Sequence, residues 1–161
     1  MTCPFCEIVK GKEASHVVYE SEHTIAFLDI QPLVSSRAHI LLCPKSHYET
    51  LDKLAANKEA SAEIGIALPI LAKACIEATN STAFNVVQNN GEAAGQVVHH
   101  VHFHIVMRDG DEHPAVKRTV DQLKKQFGIM DRARYTMQVF GRGQREDLVG
   151  DEMAKLIRSK L

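Results

Sequence analysis

The sequence predicts an α+β fold, and three observations carry that prediction. Residues 97–107 read Val-Val-His-His-Val-His-Phe-His-Ile-Val-Met, so that His100, His102 and His104 alternate with Val101, Phe103 and Ile105. A period of two marks a β-strand with one polar and one apolar face. Shorter apolar runs at 17–20, 24–30, 39–44 and 83–88 read as four further strands. Residues 59–79 repeat apolar side chains at three and four, the period of a helix.

Composition bounds the function. A chain of 161 residues suits one domain with a modest extension, and 45% apolar with 24% charged residues is ordinary for a globular protein. A net charge of −1 argues against a protein that coats nucleic acid, which needs a basic surplus; a local basic cleft stays compatible with it. No apolar run is long enough to span a bilayer. The opening Met1-Thr2-Cys3-Pro4-Phe5-Cys6 lacks the basic end and long apolar segment of a signal peptide. The expectation is therefore a reducing compartment, cytoplasmic with the nucleus as second choice. Cys3, Cys6, Cys43 and Cys75 are then thiols or metal ligands rather than a disulfide frame.

In chain order, Cys3-Pro4-Phe5-Cys6 has three readings. A redox pair needs a core strand before the first cysteine, and there is no room for one. Two small buried thiols are the plain structural reading. Half of a zinc site is the favoured one, with His47 and His100 the best completing ligands. Residues 7–12 predict a short helix ending near Gly11. The strand at 17–20 turns at Glu22-His23 into the strand at 24–30, which Gln31-Pro32 stops. Asp29, at the end of that apolar run, is either a turn residue or a carboxylate able to accept two ribose hydroxyls. Residues 33–38 predict a loop, and 39–44 a third strand, where His39 alone would be a core or edge histidine. Residues 50–54 carry no evident chemistry.

The helix at 59–79 turns Ile64, Leu68, Leu71 and Cys75 inward, with Ile66, Ile70 and Ile76 widening the stripe; Pro69 should kink it, and Asn80-Ser81 ends it. After the strand at 83–88, Asn89-Asn90-Gly91 signals a turn. Residues 89–95 are a hairpin loop whose small side chains also let backbone approach a phosphate. Beyond 108–111, residues 116–126 and 146–159 predict helices, the latter with Leu148, Met153, Leu156 and Ile157 on one side. Residues 132–140 are ambiguous. A row of imidazoles with no Ser or Cys nucleophile points to histidine itself as the attacking group, with the central ring best placed.

The run His100-Val101-His102-Phe103-His104-Ile105-Val106 resembles the complete signature of the histidine triad (HIT) nucleotide hydrolases and transferases, in their Hint-like branch. The resemblance implies a HIT domain at 1–110, a five-stranded antiparallel sheet with flanking helices. A helical extension at 111–161 would pack on the domain or on a dimer partner. It implies a homodimer, with the helix at 59–79 and the strand before it forming much of the contact. It assigns His102 as nucleophile toward the α-phosphate of a purine nucleotide, His104 as donor to the phosphate oxygens, and His100 as an orienting residue or zinc ligand. His39 would support the triad. Phe27, Asp29 and Ile30 would hold base and ribose. Asn89, Gly95, Gln96 and backbone near Val97 and Val98 would cradle the phosphate.

Pro44-Lys45-Ser46-His47 matches the segment that, with Cys3, Cys6 and His100, carries structural zinc in some members. Magnesium is not required by such a scheme. The chain departs from the pattern twice: Ser36-Arg37-Ala38 precedes His39 where Gly is usual, and Val97 stands where Ser or Thr is common. The expected activity is an adenosine 5′-monophosphoramidase acting through a covalent histidine–AMP intermediate. Asn89, where dinucleotide-splitting members tend to carry Gln, ranks a diadenosine polyphosphate hydrolase second. Ranked below these are an aprataxin-like remover of adenylate from DNA ends, a nucleotide-binding regulatory protein with little turnover, and a module that only binds zinc.

Overall fold

Five antiparallel strands form one sheet in the spatial order Val17–Glu20, Thr24–Leu28, Ser36–Pro44, Phe103–Arg108, Phe84–Gln88. The computed structural model describes residues 2–33, 36–108 and 147–161, without the side chains of 147–149. In chain order the elements are α1 (Pro4–Val9), β1 (Val17–Glu20), β2 (Thr24–Leu28), β3 (Ser36–Pro44), α2 (Leu51–Leu54), α3 (Lys58–Thr79), β4 (Phe84–Gln88), a 3₁₀ turn (Glu92–Ala94), β5 (Phe103–Arg108) and α4 (Asp147–Arg158). The helix predicted at 116–126 and the ambiguous stretch at 132–140 lie outside the described residues, as does the Leu148 side chain.

Alternation sorts the sheet into two faces. On one, Ala26, Leu28, Ile40, Leu42, Ile105 and Met107 meet Ile64, Ala67 and Leu71 of α3 and Ala154 and Ile157 of α4 in the main core. On the other, Ile25, Phe27, Leu41 and Cys43 form a smaller cluster closed by Phe5 of α1. Leu41 pairs with His104, so that histidine shares the smaller-cluster face. Val101, Ile105 and Met107 are fully buried on the opposite side.

The caps follow from the local sequence. Pro4 opens α1, three residues earlier than the expected 7–12, because proline suits a first turn that needs no N–H. Asn57 caps α3 by accepting from the Ala60 amide at 2.9 Å, and Asn80 ends it in the left-handed conformation at φ 51°. Arg37 donates to the last carbonyl, that of Thr79, at 3.0 Å. α3 runs through Pro69 as one helix, which has no N–H for the Gly65 carbonyl.

Several expected boundaries shift. Ile66 and Ile70 do not widen the inward stripe: they are 59% and 42% exposed, and Ala60, Ala67 and Ala74 line the core instead. At about 100° per residue, positions 60, 64, 67, 71, 74 and 75 share one face and 66 and 70 fall off it. Leu156 is likewise 41% exposed, whereas Ile157 is buried. β2 stops at Leu28, where the Asp29 carboxylate accepts the Gln31 amide at 2.8 Å and bends the chain. β3 begins inside the expected loop, at Ser36, with an irregular register around Arg37. The histidine strand is paired only from Phe103 onward. The Val101 amide is taken by the Tyr48 carbonyl at 2.7 Å, so the chain reaches the sheet after His102.

β3 is paired on both sides, so the strand before α3 offers no free edge to a second copy; the edge strands of the sheet are β1 and β4. α4 packs on α3 and β1 of its own chain, where His16 Nδ1 lies 2.9 Å from Asp151 and Arg158 donates to the Val17 carbonyl. No helix among the described residues is long and apolar enough to cross a membrane.

Since the Ile157 side chain is fully enclosed, Ile157→Ala is expected to lower unfolding stability by about 2–4 kcal/mol, read from the denaturant midpoint. An unchanged midpoint would mean that α4 is not part of the core in solution.

Candidate active site

Two histidines of the predicted row stand together. The His102 and His104 rings have centroids 4.8 Å apart at 71°, and both are nearly buried, at 5% and 6% exposure. His39, from the neighbouring strand, places Nε2 2.9 Å from His104 Nδ1.

Hydrogen bonding then dictates which nitrogen of each neutral ring carries its proton. The Leu33 amide donates to His39 Nδ1 at 3.1 Å, so that nitrogen is an acceptor and His39 Nε2 bears the proton. His39 Nε2–H therefore donates to His104 Nδ1, which leaves His104 with an N–H at Nε2. His102 Nδ1 lies 2.6 Å from the His100 carbonyl, which can only accept, so His102 carries its proton at Nδ1 and a lone pair at Nε2. The result is one nucleophilic nitrogen beside one N–H donor, each set by a bond on the far side of its ring. Asp29 Oδ2 lies 3.5 Å from His39 Nδ1.

His100 departs from the expected row of three. Its ring turns to the amino-terminal cysteines: Nδ1 lies 3.4 Å from Cys3 Sγ and 3.6 Å from Cys6 Sγ, and the ring packs at right angles to His47 with centroids 5.1 Å apart. Cys6 Sγ is 3.4 Å from His47 Nδ1, and all four ligand atoms lie within 4.8 Å of one another. His100 Nε2–H donates to the Pro44 carbonyl at 2.8 Å, which directs the Nδ1 lone pair at the sulfurs. This is the donor arrangement a ligating histidine needs.

Two thiols and two imidazoles are a tetrahedral zinc donor set. Zn–S near 2.3 Å and Zn–N near 2.0 Å imply an S···N edge of about 3.5 Å, matching the distances here. Burial pushes the His100 imidazolium down to about 4, so the ring is neutral at neutral pH. Burial and the neighbouring Cys3 push the Cys6 thiol up, so binding a metal ion must release thiol protons.

The remaining predicted residues divide. Phe27 is buried in the smaller cluster with its ring 5.4 Å from Phe5, whereas Ile30 is 69% exposed. Val87 pairs with His104, and Asn89 follows directly after the end of β4 at Gln88; its side chain is half-buried. The loop from Gly91 to Gly95 holds both glycines at positive φ, 78° and 81°, which favours glycine.

Gln96 is 3% exposed and its amide is engaged within the loop. It donates to the Glu49 and Val98 carbonyls at 2.6 and 3.1 Å and accepts from the Gly91 amide at 2.6 Å. Its side chain shapes the loop and has no hydrogen left for a phosphate. Val97 is 87% exposed, and Val98 packs on the smaller cluster.

Sequence reasoning passed over Phe5 and the Leu33 amide. The only sign of Phe5 was an apolar residue inside a Cys-x-x-Cys pair, and a backbone donor leaves no sequence signal.

The chain matches the HIT domain family over residues 10–111. It is 42% identical over 113 residues to a HIT-like protein of Methanocaldococcus jannaschii, covering 68% of this chain and 81% of that one. It is 40% identical over 113 residues to an adenosine 5′-monophosphoramidase of Schizosaccharomyces pombe, covering 70% and 79%. A crystal structure of a Zn-bound histidine triad family protein from Mycobacterium smegmatis superposes with a TM-score of 0.69 at 27% identity, covering 99% and 93%.

The buried neutral His100 has a consequence in acid. Between its ordinary 6.5 and its folded value of about 4, the unfolded chain binds a proton that the folded one does not. The metal-free protein is therefore expected to lose stability, on the order of 3 kcal/mol, as pH falls through that window. Denaturant titrations in chelator at pH 7 and pH 4 should show this, and His100→Gln should flatten the difference.

Proposed function

The chain belongs to the histidine triad (HIT) family, and we propose that it is a nucleotide hydrolase of adenosine 5′-monophosphoramidase type. The observation that carries the reading is the tautomer of His102: its Nδ1–H is held by the His100 carbonyl at 2.6 Å, which leaves Nε2 as a lone pair. That nitrogen attacks the α-phosphorus of an adenosine 5′-phosphoramidate, and the P–N bond to the amine breaks as the N–P bond to His102 forms. The amine leaves with a proton taken from solvent, which the water of the second step gives back. Water then attacks the phosphorus, releases AMP and returns the electron pair to His102. His104 Nε2–H, fixed by His39, donates to the phosphoryl oxygens as charge builds on them. Asp29 would take the ribose hydroxyls, with Phe27 and Ile30 along the base. Asn89 and the amides near Gly95, Val97 and Val98 would cradle the phosphate. The similarity to the S. pombe phosphoramidase supports this reaction class.

Cys3, Cys6, His47 and His100 would hold a zinc ion, a reading supported by their donor set and by the Zn-bound mycobacterial relative. Bound zinc would cross-link the amino terminus to the active-site strand; the chemistry stays with the imidazoles. We also read the protein as a homodimer. β4 is an open edge whose Phe84, Val86 and Val87 are 39%, 45% and 39% exposed, and Ile66 and Ile70 of α3 are exposed too. Residues 1–110 would form the catalytic domain. The extension at 111–161 would close it in the same chain, since α4 adds Ala154 and Ile157 to that core.

Turnover of a fluorogenic adenosine phosphoramidate by wild type, lost by about 10⁴-fold or more in His102→Ala, is the expected result. Quenching in alkaline denaturant, which spares the acid-labile P–N bond, should trap one adenylate on His102. Faster cleavage of diadenosine polyphosphate would move the protein to the dinucleotide hydrolases, and absence of both adduct and turnover would make it a binding protein. Cys3→Ser should abolish stoichiometric zinc and lower Tm by several degrees, seen by elemental analysis and calorimetry. Val86→Lys should convert the dimer to monomer in sedimentation; a wild type that already sediments as monomer would end the dimer reading.

A further inference from the structure

Asn90-Gly91, at the start of the loop before β5, carries a chemistry that the imidazoles do not use. An asparagine followed by glycine can cyclise through the glycine amide nitrogen, which attacks the side-chain carbonyl carbon. Glycine permits the approach because no Cβ crowds that nitrogen, and Gly91 sits at a positive φ of 78° with open space around it. The Asn90 side chain is exposed, so water can reach the product.

The loop resists this reaction at the nitrogen and assists it at the carbonyl. The Gly91 N–H donates to Gln96 Oε1 at 2.6 Å. Attack requires that proton to leave and the nitrogen to turn toward carbon, and a buried oxygen lying against the N–H opposes both. Gln96 is itself held: it is 3% exposed, its Nε2 donates to the Glu49 and Val98 carbonyls, and its backbone amide donates to the Gly91 carbonyl at 3.1 Å. At the other end, Asn90 Oδ1 accepts from the Leu51 amide at 2.8 Å and from Gln88 Nε2 at 3.0 Å. Two N–H donors on one carbonyl oxygen stabilise the charge that gathers there as a nucleophile adds.

We propose that Asn90 is a site of spontaneous deamidation through a succinimide, and that the Gln96 side-chain oxygen is the latch on the Gly91 amide that slows it. The bond from Gly91 N to Asn90 Cγ forms, the Cγ–Nδ2 bond breaks, and the Gly91 proton departs with Nδ2 as ammonia. One water then opens the ring to aspartate or isoaspartate. Either product places a carboxylate at position 90, and isoaspartate adds a carbon to the backbone just before Gly91. In a loop that cradles phosphate, that charge repels the substrate and ends turnover. This consequence rests on the phosphate reading of the loop; the latch does not.

The test uses the full chain, wild type and Gln96→Met, incubated at mildly alkaline pH. Aspartate and isoaspartate at position 90 are read by peptide mass spectrometry, and Gly91 amide exchange by NMR. Gln96→Met keeps the side-chain length but removes the oxygen. It should raise the rate of conversion at Asn90 about fivefold or more, with Gly91 exchange rising in step, while Asn85 inside β4 stays unconverted. In denaturant, both proteins should convert Asn90 at one common, faster rate.

A folded Gln96→Met protein whose Asn90 converts no faster than wild type overturns the proposal. So does a folded wild type that converts as fast as in denaturant. If Gln96→Met does not fold, Gln96→Asn, which withdraws the oxygen by one carbon, replaces it with the same expected acceleration. Turnover of the phosphoramidate by wild type should fall in proportion to the fraction converted. A protein that deamidates in this way yet keeps its turnover upholds the latch and removes the phosphate reading of the loop; one that deamidates and never had turnover upholds the latch and removes the phosphoramidase reading.

Discussion

A single hydrogen bond, from His102 Nδ1 to the carbonyl of His100, decides what the site can do. A carbonyl cannot donate, so the bond forces the proton onto one side of the ring and exposes a lone pair on the other. The same logic runs through the Leu33 amide, His39 and His104 with opposite outcome, and presents an N–H where His102 presents a lone pair. Two chemically identical side chains thus acquire opposite hydrogen-bonding character, a lone pair on one and an N–H donor on the other, from the polarity of the groups behind them.

The sheet exists, functionally, to keep those backing groups in register. β3 lies between β2 and β5 and brings His39 diagonally against His104, while Asp29, at the end of β2, comes to the same face. The opposite face is buried under α3 and α4, which leaves the strands little freedom to slip: a one-residue shift would send the imidazoles into the core and Ile105 toward solvent. The smaller cluster around Phe5, Phe27 and Leu41 does the same for the segment just before β5, which has no ladder of its own. Cys3 and Cys6 lie against that segment through the His100 ring, so the amino terminus backs the least regular part of the site.

Legibility followed sequence distance. The alternation of His100, His102 and His104 with Val101, Phe103 and Ile105 was enough to propose a polar and an apolar side, and the apolar residues are indeed buried together. The zinc donor set was readable because cysteines and histidines are few and chemically distinctive; the four residues do come together. Ile66 and Ile70 misled because hydrophobicity was weighed above angle, and alanines filled the face they were expected to fill. Gln96 was legible only as a loop position: an amide can serve a ligand or a loop equally well, and it takes the positions of Glu49, Gly91 and Val98 to show that its side chain braces the loop.

The sequence by itself determined the ingredients: an α+β chain, a run of alternating imidazoles, a carboxylate closing an apolar strand, and two thiols awaiting two nitrogens. These are local facts, set by period-two alternation and by the chemistry of single residues. Only the tertiary structure decided how the imidazoles are divided. His100 leaves the row for the cysteines because the chain joins the sheet after it, with the Val101 amide held by Tyr48. His39, distant in sequence, enters the row in its place. Tautomers, ring angles and the placement of Phe5 depend on carbonyls, amides and rings brought from far along the chain, and such contacts are made by packing rather than written in any one stretch of residues.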